Sequence, residues 1–343
     1  MLKRKWKIRA IAFLFVGAAG FILWKVSRSA FAISRVVLER ESAGISEKNE
    51  FRDVVYTSFD KGSNEVTLKS SKVREVGNKA FDFRNLVTTF NISSDETATI
   101  FADESHFVSK ESKQCGMKGN VRLLTEDGLS LETEKSFIDM DKKIAYGDSD
   151  ILITQDDTKF FAKKYHFDMG NRVVTLIGGV EGNLADDLII ADKLVVDFDK
   201  VIGKDFKKVH AFGNSSYKTV MYHIKAARDI LYTNQYAEAN GNVCLDFKKD
   251  KHNYLVNAEH IAMNLKEDAI KKVVAEDNLR IKVDGSTSIR GDHGILEDDF
   301  LTITGNTVIF NEKGKILCKK AILNMKTNDI RVYESKGVVK KKD

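Results

Sequence analysis

Proline is absent from all 343 residues, although average usage of about 5% would supply about 17. That absence removes one of the residues that guard exposed strand edges. Cysteine is scarce. Cys115, Cys244 and Cys318 are far apart and odd in number, which fits neither a C-x-x-C metal spacing nor a disulfide framework. They read as small buried strand residues, with a Cys244 to Cys318 bridge left open. Catalytic signatures are missing too. There is no G-x-S-x-G, H-E-x-x-H, P-loop or G-x-G-x-x-G, so an enzyme is not expected. The seven histidines (His106, His166, His210, His223, His252, His260 and His293) are scattered, and no metal or other cofactor is expected. Carboxylate pairs such as Asp139 with Asp141, or Asp148 with Asp150, read as turns between strands. No window holds an i, i+3, i+4 apolar pattern over twelve or more residues, which leaves little room for helices.

The body also lacks a clustered basic patch. Residues 1 to 40 carry nine Lys or Arg against the single Glu39, a balance of +8. With a total of +5, the remaining residues sum to −3. A nucleic-acid partner is therefore not expected. The tail Lys340-Lys341-Lys342 reads as solvated.

What is present begins with Lys3, Arg4, Lys5, Lys7 and Arg9, followed by the uncharged run Ala10 to Trp24. The charge asymmetry places the N-terminus in the cytoplasm and the body across the membrane. Fifteen helical residues span only about 22 Å of a roughly 30 Å core, so anchoring requires Arg9 and Lys25 to snorkel. A cleaved signal peptide is the rival, because Ala30-Phe31-Ala32 offers an A-x-A site. Anchoring is the favoured reading: residues 1–26 as cytoplasmic tip and transmembrane anchor, residues 27–50 as a stalk.

The body is organised by a repeated strand pair, clearest in AARDILYTNQYAEANGNVCLDF at residues 226–247. Apolar residues alternate through Tyr222, Ile224, Ala226, Ile230 and Tyr232, then through Ala237, Ala239, Val243, Leu245 and Phe247. A period of two gives each strand one buried and one wet face. Gly241-Asn242 within such a pattern marks a bulge, because both residues tolerate positive φ. Similar units start at Ala102, Thr133, Ala162, Ala191, Ala226, Ala258, Arg290 and Cys318, with spacings of 31, 29, 29, 35, 32, 32 and 28 residues. Each runs into a Gly-Asn or similar pair, such as Gly119-Asn120, Gly178-Gly179, Gly213-Asn214, Asp277-Asn278 or Gly305-Asn306. Such periodicity marks a repeat architecture of stacked antiparallel strands. The class is all-β, with a domain boundary expected at Glu181 to Asp187.

Two stretches resemble known families. Phe101-Ala102-Asp103, Gly119-Asn120-Val121-Arg122, Asp127-Gly128 and Leu131-Glu132-Thr133-Glu134 resemble LptC, the membrane-anchored component of lipopolysaccharide export. Leu188 to Val196, with Gly213-Asn214 and Gly241-Asn242-Val243, is similar to LptA, the OstA-like bridge protein. The resemblance implies an LptC-like β-jellyroll over 51–182 and an LptA-like β-jellyroll over 183–343. These would be two tandem open jellyrolls behind one N-terminal transmembrane helix, anchored in the inner membrane with the body in the periplasm.

It further implies that lipopolysaccharide acyl chains lie between facing sheets. The implied partners are an inner-membrane ABC exporter (LptBFG-like) and an LptA-like or LptD-like jellyroll joined by edge-strand pairing. The inward residues expected to line the groove are Phe101, Val121, Leu123, Leu131 and Phe137 in the first half. In the second they are Ile189, Leu194, Val196, Phe198, Ile224, Ile230, Tyr232, Val243, Leu245, Phe247, Val256, Met263, Leu265, Leu279, Ile281 and Ile303. The competing reading is a membrane-tethered structural or adhesive β-repeat protein without a lipid ligand, for which the same alternation is ordinary core.

Overall fold

A computed structural model describes residues 50–59, 65–76, 80–93, 96–108, 114–139, 142–198, 208–249, 251–266, 269–312 and 314–339. The apolar run 10–24 and nearly all of the stalk lie outside the described residues. Among the described residues every regular element is a strand, and no helix is long and apolar enough to cross a membrane. The chain divides into two units: residues up to Gln155 with His166–Asn171, and Asp156–Tyr165 with the chain from Arg172 onward.

The first unit is an antiparallel meander of β1 (Glu50–Phe59), β2 (Glu65–Val76), β3 (Ala80–Ser93), β4 (Glu96–Val108), β5 (Gln114–Thr125) and β6 (Ser130–Asp139). Two short strands, β7 (Ile144–Gly147) and β8 (Ile151–Gln155), then share the far side of β6. The chain continues through β9 (Thr158–Ala162) and β10 (Lys164–Asp168), the latter pairing with β7.

In the second unit β9 pairs with β11 (Val173–Leu184), and β11 with β12 (Asp187–Asp197). Next come two half-length tracks. One is β13 (Lys208–Phe212) with β16 (Asp229–Thr233); the other is β14 (Ser215–Lys218) with β15 (Tyr222–Ala226). Both tracks join β12 to β17 (Tyr236–Lys249). From there β18 (His252–Lys266), β19 (Ala269–Val283), β20 (Thr287–Glu297), β21 (Phe300–Asn311) and β22 (Gly314–Asn324) form a meander. The ladder ends in β23 (Ile330–Tyr333) and β24 (Lys336–Val339), side by side on β22. The Glu181–Asp187 stretch is the tight hairpin between β11 and β12, turning at Ala185 with φ 53°, and it lies inside the second unit.

The repeated sequence unit now has a physical account. On one strand type the buried positions skip by three instead of two: Ala102 to Ser105, Thr133 to Ser136, Ala191 to Leu194, Ala258 to Ile261 and Cys318 to Ala321. Each skip turns the second half of the strand over. The neighbouring strand absorbs the turn with one extra residue, and the register shifts there between Lys118 and Val121, Asn240 and Val243, Glu276 and Leu279, and Thr304 and Thr307. Gly119, Asn120, Gly241, Asn242, Asp277, Asn278, Gly305 and Asn306 all hold positive φ at these bulges, the conformation Gly, Asn and Asp accept most readily. Asp277-Asn278 does the work of Gly-Asn without a glycine.

At three places a carboxylate directly after the buried residue that opens a skip covers the next bulge. Asn120 donates to Asp103 at 2.7 Å and Asn306 to Asp292 at 3.0 Å; the Asn214 backbone N–H donates to Asp192 at 3.2 Å. Gly213-Asn214 sits in the gap between β13 and β14. In the second unit the skip makes the two halves of each long strand face one another as two layers. Tyr217 on β14 and Tyr232 on β16, strands that do not pair, bring their rings to 4.5 Å across the core. This is the sandwich arrangement in which inner faces interdigitate.

Candidate lipid-binding groove

Alternation places nearly all of the expected inward residues inside. Val121, Leu123 and Leu131 are buried in the first unit, and so are all sixteen of the second-unit residues from Ile189 to Ile303. Phe101 and Phe137 are corrections. Phe101 is 37% exposed and Phe137 45% exposed. Phe101 lies between the inward Ile100 and Ala102, a run of three apolar residues with no period to orient it. Phe137 follows from counting by twos from Leu131, but the skip from Thr133 to Ser136 turns it outward, where it stacks on Tyr146 with centroids 5.6 Å apart.

The first unit adds aromatics that the sequence reading passed over. Phe83 shares a face with buried Val73, Ser105 and Met117, and Phe81 shares one with Phe107 and buried Cys115 and Ile138. Phe81, Phe83 and Phe107 therefore point inward, yet each is only half-buried. This inner face is incompletely covered near the β1 edge. The alternation Phe81-Asp82-Phe83 was the available signal.

The second unit is more tightly packed. Phe247, Tyr254, Val256, Leu279 and Ile281 of one layer meet Val273, Ala275, Leu296 and Leu301 of the other, with Gly294 beside them, around a narrow cleft, and these apolar side chains are all buried. An acyl chain would have to part the layers.

Hairpin ends of the two layers are tied together at this cleft. Lys249 Nζ donates to the Asp298 carbonyl and lies 3.0 Å from Asp299, which also pairs with Lys326 at 2.6 Å. The Tyr254 hydroxyl donates to the Met325 carbonyl at 3.0 Å. Hydrogen bonds from Lys326 and Lys249 hold the Asp299 carboxyl below its ordinary range. These partners are separated by 27 to 71 residues in sequence, so no local pattern announced the clasp.

Inside the second unit, Tyr217 donates to Asp187 at 2.5 Å, and burial pushes its phenol well above the usual tyrosine range. Several histidines pair with carboxylates, as His106 with Asp82 at 2.7 Å and His252 with Asp284 at 2.5 Å, while His223 shares a hydrogen bond with Ser216 at 2.8 Å. Among the described residues no three His, Cys, Asp or Glu converge as metal ligands. Cys115 and Cys318 are buried and Cys244 is partly exposed; all three are free thiols.

What this geometry offers chemically is apolar surface between layers, half-open in the first unit and clasped shut in the second. The chain matches no curated protein. A family model described as lipopolysaccharide-assembly, LptC-related, matches residues 10–185, about half of the 343 residues, from the N-terminal apolar run through β11. The chain thus belongs to the LptC-related family of lipopolysaccharide assembly.

Proposed function

We propose that this protein is a bridge component of lipopolysaccharide transport that takes acyl chains between its β-layers and passes them from the inner membrane toward the outer membrane. The observation that carries this reading is the half-buried inward row Phe81, Phe83 and Phe107 in the part of the chain that matches the family. A dry core would cover such rings, because each half-exposed aromatic forgoes about 1 kcal/mol of burial. An acyl chain would cover them instead.

In this account the N-terminal run anchors the chain in the inner membrane beside an LptBFG-like ABC exporter, with the body in the periplasm. The second half acts as a covalently joined LptA-like jellyroll, and its clasp at Lys249, Asp299 and Lys326 separates to admit the chain. Edge strands pair with an LptA-like or LptD-like jellyroll by β-augmentation. ATP is consumed by the exporter, so the groove needs no catalytic group. The tight packing of the second unit is what the alternative, a structural β-repeat without a lipid ligand, would require.

Binding of lipopolysaccharide by the purified chain separates the two. Phe83→Asp should weaken binding at least about tenfold, the equivalent of about 1.4 kcal/mol, whereas Phe101→Asp on the outer face should leave it unchanged. Equal effects of the two substitutions, or no binding by the native chain, would sink the proposal.

A further inference from the structure

The outer face of one layer of the second unit carries a concentration of cations that the near-neutral sum of the body conceals. Register places Lys225, Cys244, Asn257, Arg280, Arg290, Val308, Leu317 and Lys336 in one outward row. The next row holds His223, Asp246, Leu255, Lys282, Ser288, Phe310 and Lys315. Toward the C-terminal end this leaves Arg280, Lys282, Arg290, Lys315 and Lys336, all exposed, with no acidic residue among them in either row. The acid in these rows is Asp246, with Leu255 between it and Lys282. At the rims Asp284 is held by His252 and Asp292 by Asn306, and Glu312 lies in the turn after β21.

Three features distinguish this from an ordinary solvated face. Arg280 and Arg290 are direct cross-strand partners, an arrangement that like charges disfavour. Arg290 and Lys315 both lie over the Phe310 ring, at 5.6 and 5.4 Å from its centroid. Apolar side chains stand between the cations: Val308 and Phe310 half-exposed and Leu317 41% exposed. From β19 to β24 the array covers four strand spacings, about 19 Å. A single phosphate needs converging donors; a layer of phosphates over an acyl boundary matches cations spread across several strands and interleaved with apolar groups.

We propose that this face docks on the surface of a bilayer containing anionic phospholipids, holding the second unit against the membrane. The inference is independent of the groove, since acyl-chain binding can fail while docking holds. The test uses the full chain in lipid nanodiscs, in a background with its three cysteines replaced by alanine. A fluorophore is placed at Ser288 on this face or at Thr302 on the outer face of the other layer, and a spin-labelled lipid headgroup serves as quencher.

Quenching at Ser288 is expected when phosphatidylglycerol is present, is lost with phosphatidylcholine alone, declines as salt is raised, and is absent at Thr302. Each neutralised cation should weaken docking about fivefold, the equivalent of about 1 kcal/mol, so Arg280→Gln with Arg290→Gln should weaken it about 25-fold. The salt titration on the native residues keeps the test decisive even where that variant folds poorly. Equal quenching at the two positions, or quenching indifferent to lipid charge, overturns the proposal. So does quenching that needs lipopolysaccharide in the disc and is not produced by phosphatidylglycerol.

Discussion

The repeated Asp to Gly-Asn seam makes a quantitative prediction about glycine. Gly305 and Gly285 both hold positive φ, 75° and 72°, but a Cβ at Gly285 would meet nothing within 4 Å, whereas one at Gly305 would lie 2.8 Å from Asp292 Cβ. Alanine at either site bears the left-handed backbone cost of about 1–2 kcal/mol, partly offset by about 0.4–1 kcal/mol from the less flexible unfolded chain. Gly285→Ala should therefore cost about 1 kcal/mol. Gly305→Ala must also displace Asp292 and its hydrogen bond to Asn306, worth about 0.5–1.5 kcal/mol, with repacking of the seam in addition. A total of about 2–3 kcal/mol is expected.

Urea unfolding followed by far-ultraviolet circular dichroism measures both, with an unchanged slope confirming that stability alone has moved. Because the clash is with one side chain, Gly305→Ala combined with Asp292→Gly should fall short of the sum of the single effects by about 1 kcal/mol. Equal costs at positions 285 and 305, or strict additivity with Asp292→Gly, would refute the claim that the carboxylate packs over the bulge.

Truncating Leu245, fully buried between the layers, to alanine should cost about 2–5 kcal/mol, while Cys244→Ala on the outer face should stay within about 0.5 kcal/mol; the same urea titration decides. Maleimide labelling with mass spectrometry should modify Cys244 first, because Cys115 is buried with its thiol pushed up to about 11; faster labelling of Cys115 would contradict the packing of β5. The clasp should loosen in acid. The folded pKa of Asp299 is depressed by Lys326 and Lys249, so its contribution is complete above the ordinary aspartate value of about 4 and is lost as pH falls through the lower folded value. Thermal unfolding of Asp299→Asn should then show a shallower decline below about pH 4 than the native chain, and parallel declines would rule out the ion pairs as a source of stability.

The all-β class and most of the inner face were legible because a period of two is a local property, readable wherever apolar and polar residues alternate, as through Val243, Leu245 and Phe247. The bulges were legible because positive φ selects Gly and Asn. What alternation alone could not carry was the skip of three at Ala102, Thr133 and Ala191. Counting through it turned Phe137 the wrong way, and the apolar triplet Ile100-Phe101-Ala102 offered no phase for Phe101. The clasp joins residues 27 or more positions apart, and the basic face depends on the combined register of β19, β20, β21, β22 and β24. A composition summed over the whole body averages Arg280, Lys282, Arg290, Lys315 and Lys336 against acids on other faces, and so hides the field they form.

The most direct test of the groove is photocrosslinking in living cells that make lipopolysaccharide, with a photoreactive residue at inward Leu245 or at its outward neighbour Cys244. Lipopolysaccharide adducts at position 245 and none at 244 are the result this account predicts, because only a chain lying between the parted layers reaches the inner face. Adducts at neither position, from protein that is folded and correctly placed, would mean a permanently dry core and contradict the conduit.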